Sequence, residues 1–204
     1  MRNVLLITIS RQFGSGGHAI AENLAHALDL PLFDKDVIAQ AAKEYGLYER
    51  VMQEDHPSPT NSLLFSIATN MYHLNRDSVS FEQRASMAEE KTMRNLAKEG
   101  PCIFLGRAAD AVFADSPERV SFFLHAPLEW RVNRTAQQYD ISAQKAKNIV
   151  RQMDRKRAAY YADRADGNWG SAETYHLSID TSLLGMDGTT EQLLTFIRSY
   201  QRKS

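Results

Sequence analysis

Short apolar runs alternate with amphipathic stretches along this chain. Residues 4–9, "VLLITI", are apolar apart from Thr8, and residues 3–9 read as a buried strand. Residues 17–29 put Ile20, Leu24, Ala27 and Leu28 on one side of a helix. A short strand, "PLF", precedes Asp34, which is placed to cap a helix over 35–45. Residues 54–62, "EDHPSPTNS", are a loop with two prolines, and helical patterns follow over about 62–75 and 80–98. Next come a strand at 102–105, a short helix near 107–113, a strand at 119–125 and a helix over 128–138. A long polar helix over about 142–163, a last strand in "YHLSID" and a closing helix over 190–202 complete the order.

Strands that alternate with helices predict an α/β fold: a five-stranded parallel sheet between two helical layers. No strand pattern occurs between about 36 and 98, so that stretch reads as a helical insertion into one domain spanning residues 1–204. Composition adds little to this picture. The 204 residues are 43% hydrophobic and 24% charged, ordinary for a globular chain. No apolar run approaches the ~20 residues that span a bilayer. The six-residue N-terminal run has no cleavage pattern behind it, so no signal peptide is expected. The single cysteine, Cys102, forms no internal disulfide and reads as core filling; a reducing, cytoplasmic setting is the expectation.

"SRQFGSGGHAIA", residues 10–21, joins the first strand to the first helix. Gly14, Gly16 and Gly17 allow backbone amides to approach an anion, and the helix start adds unpaired N–H groups. Three readings compete. The ATP-binding loop G-x-x-x-x-G-K-[ST] puts Gly17 where lysine belongs and His18 where the hydroxyl belongs. The dinucleotide pattern G-x-G-x-x-[GA] is satisfied by Gly14, Gly16 and Ala19, with Asp34 at the distance of a ribose-binding acid. Against it, Ser10 to Phe13 separate the strand from the first glycine, where the tight turn should be immediate. The third reading is a turn with no ligand.

Charge shifts the balance. The net charge is −1, yet residues 131–164 carry nine basic and three acidic side chains, leaving −7 elsewhere. A local basic cluster in a nearly neutral chain suits a small polyanion better than long nucleic acid. Arg107 follows the third strand at the edge where open parallel sheets bind ligands. Arg131 and Arg134 lie one turn apart, and Arg151, Arg155 and Arg157 cluster later. Guanidinium forks pair with phosphate oxygens, and phosphoryl transfer depends mainly on such charge and on positioning. The histidines show no metal-ligand spacing, and no structural metal site is expected. Tyr160, Tyr161 and Trp169 read chiefly as packing against the core.

With these motifs in place the chain resembles the cytidylate kinase-like branch of the nucleoside monophosphate kinases. The likeness rests on "ITISRQFGSGGHAIAENLA", "LFDKDVI", "GPCIFLGRAAD", "FFLHAPLEWRVNR", "DRKRAAYY" and "HLSIDTSLLGMDGTTEQL", in that order. It implies a P-loop kinase fold that uses ATP and Mg²⁺, with an acceptor under the insertion of 36–98 and an arginine-bearing lid over about 136–156. By position, Gly14, Ser15, Gly16, Gly17 and His18 would hold ATP phosphates, with Asp180 and Thr181 beside the nucleotide. Arg131, Arg134, Arg155 and Arg157 would face phosphates; Asp34, Lys35, Arg84 and Arg107 would face the acceptor. The implied activity is transfer of the γ-phosphate to CMP, dCMP or a similar small acceptor, by a cytoplasmic monomer or homodimer. Cytidylate kinases proper carry lysine at the position of Gly17 and aspartate at that of Leu105. The missing charge is expected from Arg11 or from a lid arginine. A nucleotide-binding regulatory protein without catalysis is the alternative, and a dinucleotide-dependent oxidoreductase a further one.

Overall fold

A computed structural model describes residues 6–44 and 81–202, with side chains from residue 85 in the second stretch. The expected loop at 54–62 and helix at 62–75 lie outside the described residues. Five strands form one parallel sheet: β1 (Leu6–Arg11), β2 (Leu32–Phe33), β3 (Cys102–Leu105), β4 (Arg119–His125) and β5 (Leu177–Asp180). Their order is β2-β3-β1-β4-β5. The helices are α1 (Gly17–Leu28), α2 (Lys35–Glu44), α3 (Phe81–Glu99), α4 (Ala109–Val112), α5 (Leu128–Tyr139), α6 (Ala143–Ala162) and α7 (Thr181–Arg202). Met1–Lys35 with Glu99–Ser204 make one compact unit; Asp36–Lys98 fall in a second. Within the second, the described stretches are helical, and Arg94 Nε pairs with Glu90 Oε1 at 3.0 Å along α3.

Burial on both faces explains why the central strands are short, almost unbroken apolar runs. Ile7, Ile9, Ile103 and Phe122 point to one face, where Ile20 and Leu24 of α1 and Leu193 and Ile197 of α7 cover them. The alternate residues of β1 and β4 are partly polar: Ser10 and Ser121 are buried and bonded to side chains from elsewhere in the chain. Ser121 N–H donates to His176 Nδ1 at 3.0 Å and His176 N–H donates back to Ser121 O at 2.9 Å, which locks β4 to the entry of β5. Burial, with Arg119 nearby, holds the His176 imidazole below its ordinary range.

Two expected boundaries move. β1 runs on through Ser10 and Arg11, because both pair with β4, Ser10 opposite Phe123 and Arg11 opposite Leu124. Only Gln12 and Phe13 then separate the strand from Gly14. The closing helix begins at Thr181 rather than near 190, because Asp180 Oδ1 accepts the N–H of Ser182 at 2.9 Å and its hydroxyl at 2.6 Å and starts the turn. Gly185, at φ 67 and ψ −174, interrupts that helix.

α5 and α6 form a hairpin. Asp140 ends α5 in the left-handed conformation at φ 49. Ser142 caps α6, its hydroxyl accepting Lys145 N–H at 3.3 Å. Val132, Ala146 and Val150 pack between the two helices, and Phe13 of the glycine loop packs against them.

Candidate active site

The glycine loop leaves the central strand at its carboxyl end, the edge where open α/β sheets bind ligands. Many of its polar groups are held by neighbouring elements. Gln12 N–H donates to Leu124 O at 2.9 Å. Phe13 N–H donates to Asp154 Oδ1 at 2.7 Å, and Phe13 O accepts from Arg131 Nη1 at 3.0 Å. Arg11 O accepts from Arg157 Nη1 at 2.7 Å. Thr181 Oγ1 donates to Ser15 O at 2.7 Å, its other carbonyl neighbour, His125 O, lying at 3.1 Å. The Ser15 side chain is fully buried and bonds Gln12 O at 2.9 Å. Side chains of α5, α6 and α7 therefore hold the loop's shape.

What faces the other way is a helix N-terminus with no side-chain cap. The cap residue of α1 is Gly16, at φ 81. The first N–H groups of a helix have no intrahelical acceptor and carry its positive partial charge. They open into a cleft of about 340 Å³ lined by Gly14, Gly16, Gly17 and His18 together with Arg11, Arg134 and Arg157. Thr135 Oγ1, also at the cleft, is buried without a hydrogen-bond partner among the described residues. This arrangement is chemically suited to phosphate: backbone donors, three guanidiniums and close backbone approach.

The arginines divide into different tasks. Arg131 is buried; its Nε donates to Ala126 O at 2.8 Å and its Nη1 to Asp154 Oδ2 at 2.6 Å, so it braces the loop from behind. Arg134 lies over the loop, with Nη1 on Gln138 Oε1 at 2.9 Å and Nη2 3.6 Å from Met186 Sδ. Arg155 Nε donates to Arg151 O along its own helix, at an exposed position. Arg157 lines the cleft; burial lowers its pKa, offset by Asp154 and reinforced by Arg131. His18 is exposed and 3.4 Å from Glu22 Oε1. Among the described residues no three His, Cys, Asp or Glu side chains come together to hold a metal ion.

Beyond β3 the backbone is strained. Gly106, Arg107 and Ala108 have φ of 80, 61 and 51 in succession. The left-handed region costs an L-residue roughly 1–2 kcal/mol. The turn carries Arg107 onto the ring of Tyr160, 3.8 Å from its centroid, where Arg164 also stacks at 3.5 Å. Asp34 precedes α2 and Lys35 is its first residue; Asp34 lies close enough to act electrostatically on Arg11. Arg84 is on α3, its side chain outside the described residues. Trp169 meets Phe123 edge-on at 5.4 Å.

Sequence reasoning passed over a buried carboxyl beneath this turn. Asp110 is 2% exposed, accepting from Ser10 Oγ at 3.2 Å and Tyr161 Oη at 2.8 Å, while Arg119 bonds its backbone carbonyl. Desolvation raises its pKa despite those donors. A carboxyl raised in the folded state favours folding below its unfolded pKa, and that benefit is lost as pH rises through the folded value. Asp110→Asn, which keeps the shape without the charge, is therefore expected to gain melting temperature relative to the parent as pH rises above the ordinary carboxylate range. A difference that does not change with pH would show that Asp110 carries its charge without penalty.

Strand order settles one of the competing loop readings. The dinucleotide fold has its second strand beside the first; here β3 separates them. Comparison with known proteins agrees. A curated cytidylate kinase of Haloarcula marismortui is 24% identical over 197 residues, covering 96% of this chain and 91% of that protein. An uncharacterized protein from Eubacterium ventriosum has a similar structure, with a TM-score of 0.74 at 22% identity, over 96% of this chain and 99% of that one. Shikimate kinase from Acinetobacter baumannii, solved with shikimate, gives a TM-score of 0.53 at 14% identity, over 97% and 95%. The fold is thus that of the P-loop kinases. The profile of the cytidylate kinase-like family matches residues 6–183, from β1 through the glycine loop, the Gly106–Arg107 turn and the α5–α6 hairpin into α7, and the chain belongs to that family.

Proposed function

We propose that this chain moves the γ-phosphate of ATP to a nucleoside monophosphate, CMP or dCMP before others, or to a similar small acceptor. Family and fold support a nucleotide or small-molecule kinase at the coarser level. The observation that carries the finer reading is the uncapped start of α1 facing Arg11, Arg134 and Arg157 across one cleft. Gly14, Gly16, Gly17 and His18 would offer backbone N–H groups to the nucleotide phosphates. Ser15 and Thr181 would act by fixing the loop, as their hydroxyls are turned to carbonyls. Asp180 would shape the neighbouring turn. Arg134 and Arg157 would meet phosphate oxygens, with Arg155 reaching them on closure of α5–α6 and Arg131 holding the loop. Asp34, Lys35, Arg107 and Arg84 are assigned to the acceptor. His18 supplies no hydroxyl, so Mg²⁺ would be held mainly by the nucleotide and water, where it neutralises phosphate charge.

The test is ADP release with ATP-Mg and a panel of monophosphates, beside an NAD(P) binding control. Release stimulated by CMP or dCMP is expected. Tight ATP binding without turnover for any acceptor would overturn the proposal in favour of a regulatory nucleotide-binding protein, the reading that glycine at position 17 favours.

A further inference from the structure

Position 17 has no room for a side chain. A Cβ there would lie 2.8 Å from both Cβ and Cγ of Arg11. Real Cβ atoms do not approach so closely, and the backbone conformation of Gly17 is not one that calls for glycine, since its φ is not in the positive region. The obstacle is the Arg11 stem alone. The same side chain passes a second glycine, Gly106, whose φ of +80 already favours glycine. A Cβ on Gly106 would fall 2.1 Å from Arg11 Nη1. Arg11 thus runs from the first residue of α1 to the end of β3, passing a glycine at each end.

We infer that Arg11 is the phosphate-facing cation of this loop, occupying the space of a side chain at position 17, and that Gly17 and Gly106 are its passage. The inference rests on the reading of the cleft as a nucleotide-phosphate site. Arg134 and Arg157 share the cleft, but neither packs on position 17, and two further arginines are engaged elsewhere. Arg131 is spent on Phe13, Asp154 and Ala126, and Arg155 bonds within its own helix. Arg157 braces Arg11 by bonding its carbonyl. The head of Arg11 lies between the glycine loop and the β3 edge, with Arg157 and Arg107 as like-charged neighbours and Asp34 as the opposing one. Burial, then Arg157 and Arg107, pull its pKa down to about 9 against the pull of Asp34. It stays cationic near pH 7, in a setting where positive charge exceeds negative. A phosphate is the anion that would balance it, and the position between loop and β3 edge suits a group in transit from nucleotide to acceptor.

An exchange of positions tests this. ATP and pyrophosphate affinities are measured by calorimetry for the parent, Arg11→Gln, Arg11→Gly, and Arg11→Gly with Gly17→Lys. Arg11→Gln keeps most of the stem and is expected to fold as the parent does. Both single variants should lose about tenfold or more in affinity, and the exchanged variant should regain most of it. Thermal melts supply the steric half: Gly17→Ala should lower the melting temperature in the parent and much less beside Arg11→Gly. Parent-like affinity in Arg11→Gln overturns the inference while leaving the kinase reading intact, as does a Gly17→Ala melt equal to the parent's. A parent that binds neither ATP nor pyrophosphate overturns both.

Discussion

Replacing Asp154 with alanine is expected to cost about 3–5 kcal/mol, the range for removing one partner of a buried ion pair. Arg131 has a side chain only 6% exposed and Asp154 one 19% exposed, with 2.6 Å between Nη1 and Oδ2. The variant would leave the guanidinium buried with two carbonyls but no counter-charge and strip Phe13 N–H of its acceptor. At roughly 2–4 °C per kcal/mol for a chain of this size, the melting temperature should fall by on the order of 10 °C. Urea titration and calorimetry check the figure. The paired change Arg131→Met with Asp154→Leu should be far milder than Asp154→Ala, since the penalty comes from the stranded charge. A loss below about 1 kcal/mol in the single variant would show that Arg131 turns to water when released. The same experiment bears on the site, because these two side chains grip both polar groups of Phe13 and so set where the glycines stand.

The order of strands and helices was legible because strands buried on both faces must be short apolar runs, and helices over them must be amphipathic. β3, "CIFL", is wholly buried, and its span is the expected 102–105. β1 was cut short at Ile9 because Ser10 and Arg11 are polar, and nothing local shows that Ser10 bonds a carboxyl a hundred residues away. The start of α7 was missed for a similar reason. Its signal is one Asp180–Ser182 turn, followed by a glycine that reads as a break.

The candidate site is legible in its glycines and in its excess of arginines, and illegible in their division of labour. Arg131 and Arg157 look alike on a helix diagram; one grips the loop from behind and the other lines the cleft. Asp154 was the available clue, a lone acid in the basic run "RQMDRKR". The dinucleotide pattern was met residue for residue, yet it describes a local turn, and the distinction between the two folds lies in strand order.

Gly14→Ala is expected to reduce phosphoryl transfer by on the order of a hundredfold, the loss that follows a misplacement of about 1 Å at a reacting centre. Gly14 sits at φ +80, and a Cβ there would be 2.8 Å from Thr135 Oγ1 and 2.9 Å from Arg131 O. The hydroxyl can rotate away. The carbonyl belongs to the backbone of α5 and is fixed by the helix, so the loop must move instead, and the N–H groups at the start of α1 move with it. Gly100→Ala separates this displacement from strain alone. Gly100 also has a positive φ, +149, with nothing within 4 Å of an added Cβ, and it precedes β3 at the opposite edge of the sheet. It should lose stability and keep its turnover per folded molecule. Steady-state rates and ATP affinity of the two variants, normalised to folded protein, make the comparison. Equal turnover in Gly14→Ala and Gly100→Ala would mean that α5 yields to the loop, and that the brace through Arg131 is softer than its hydrogen bonds imply.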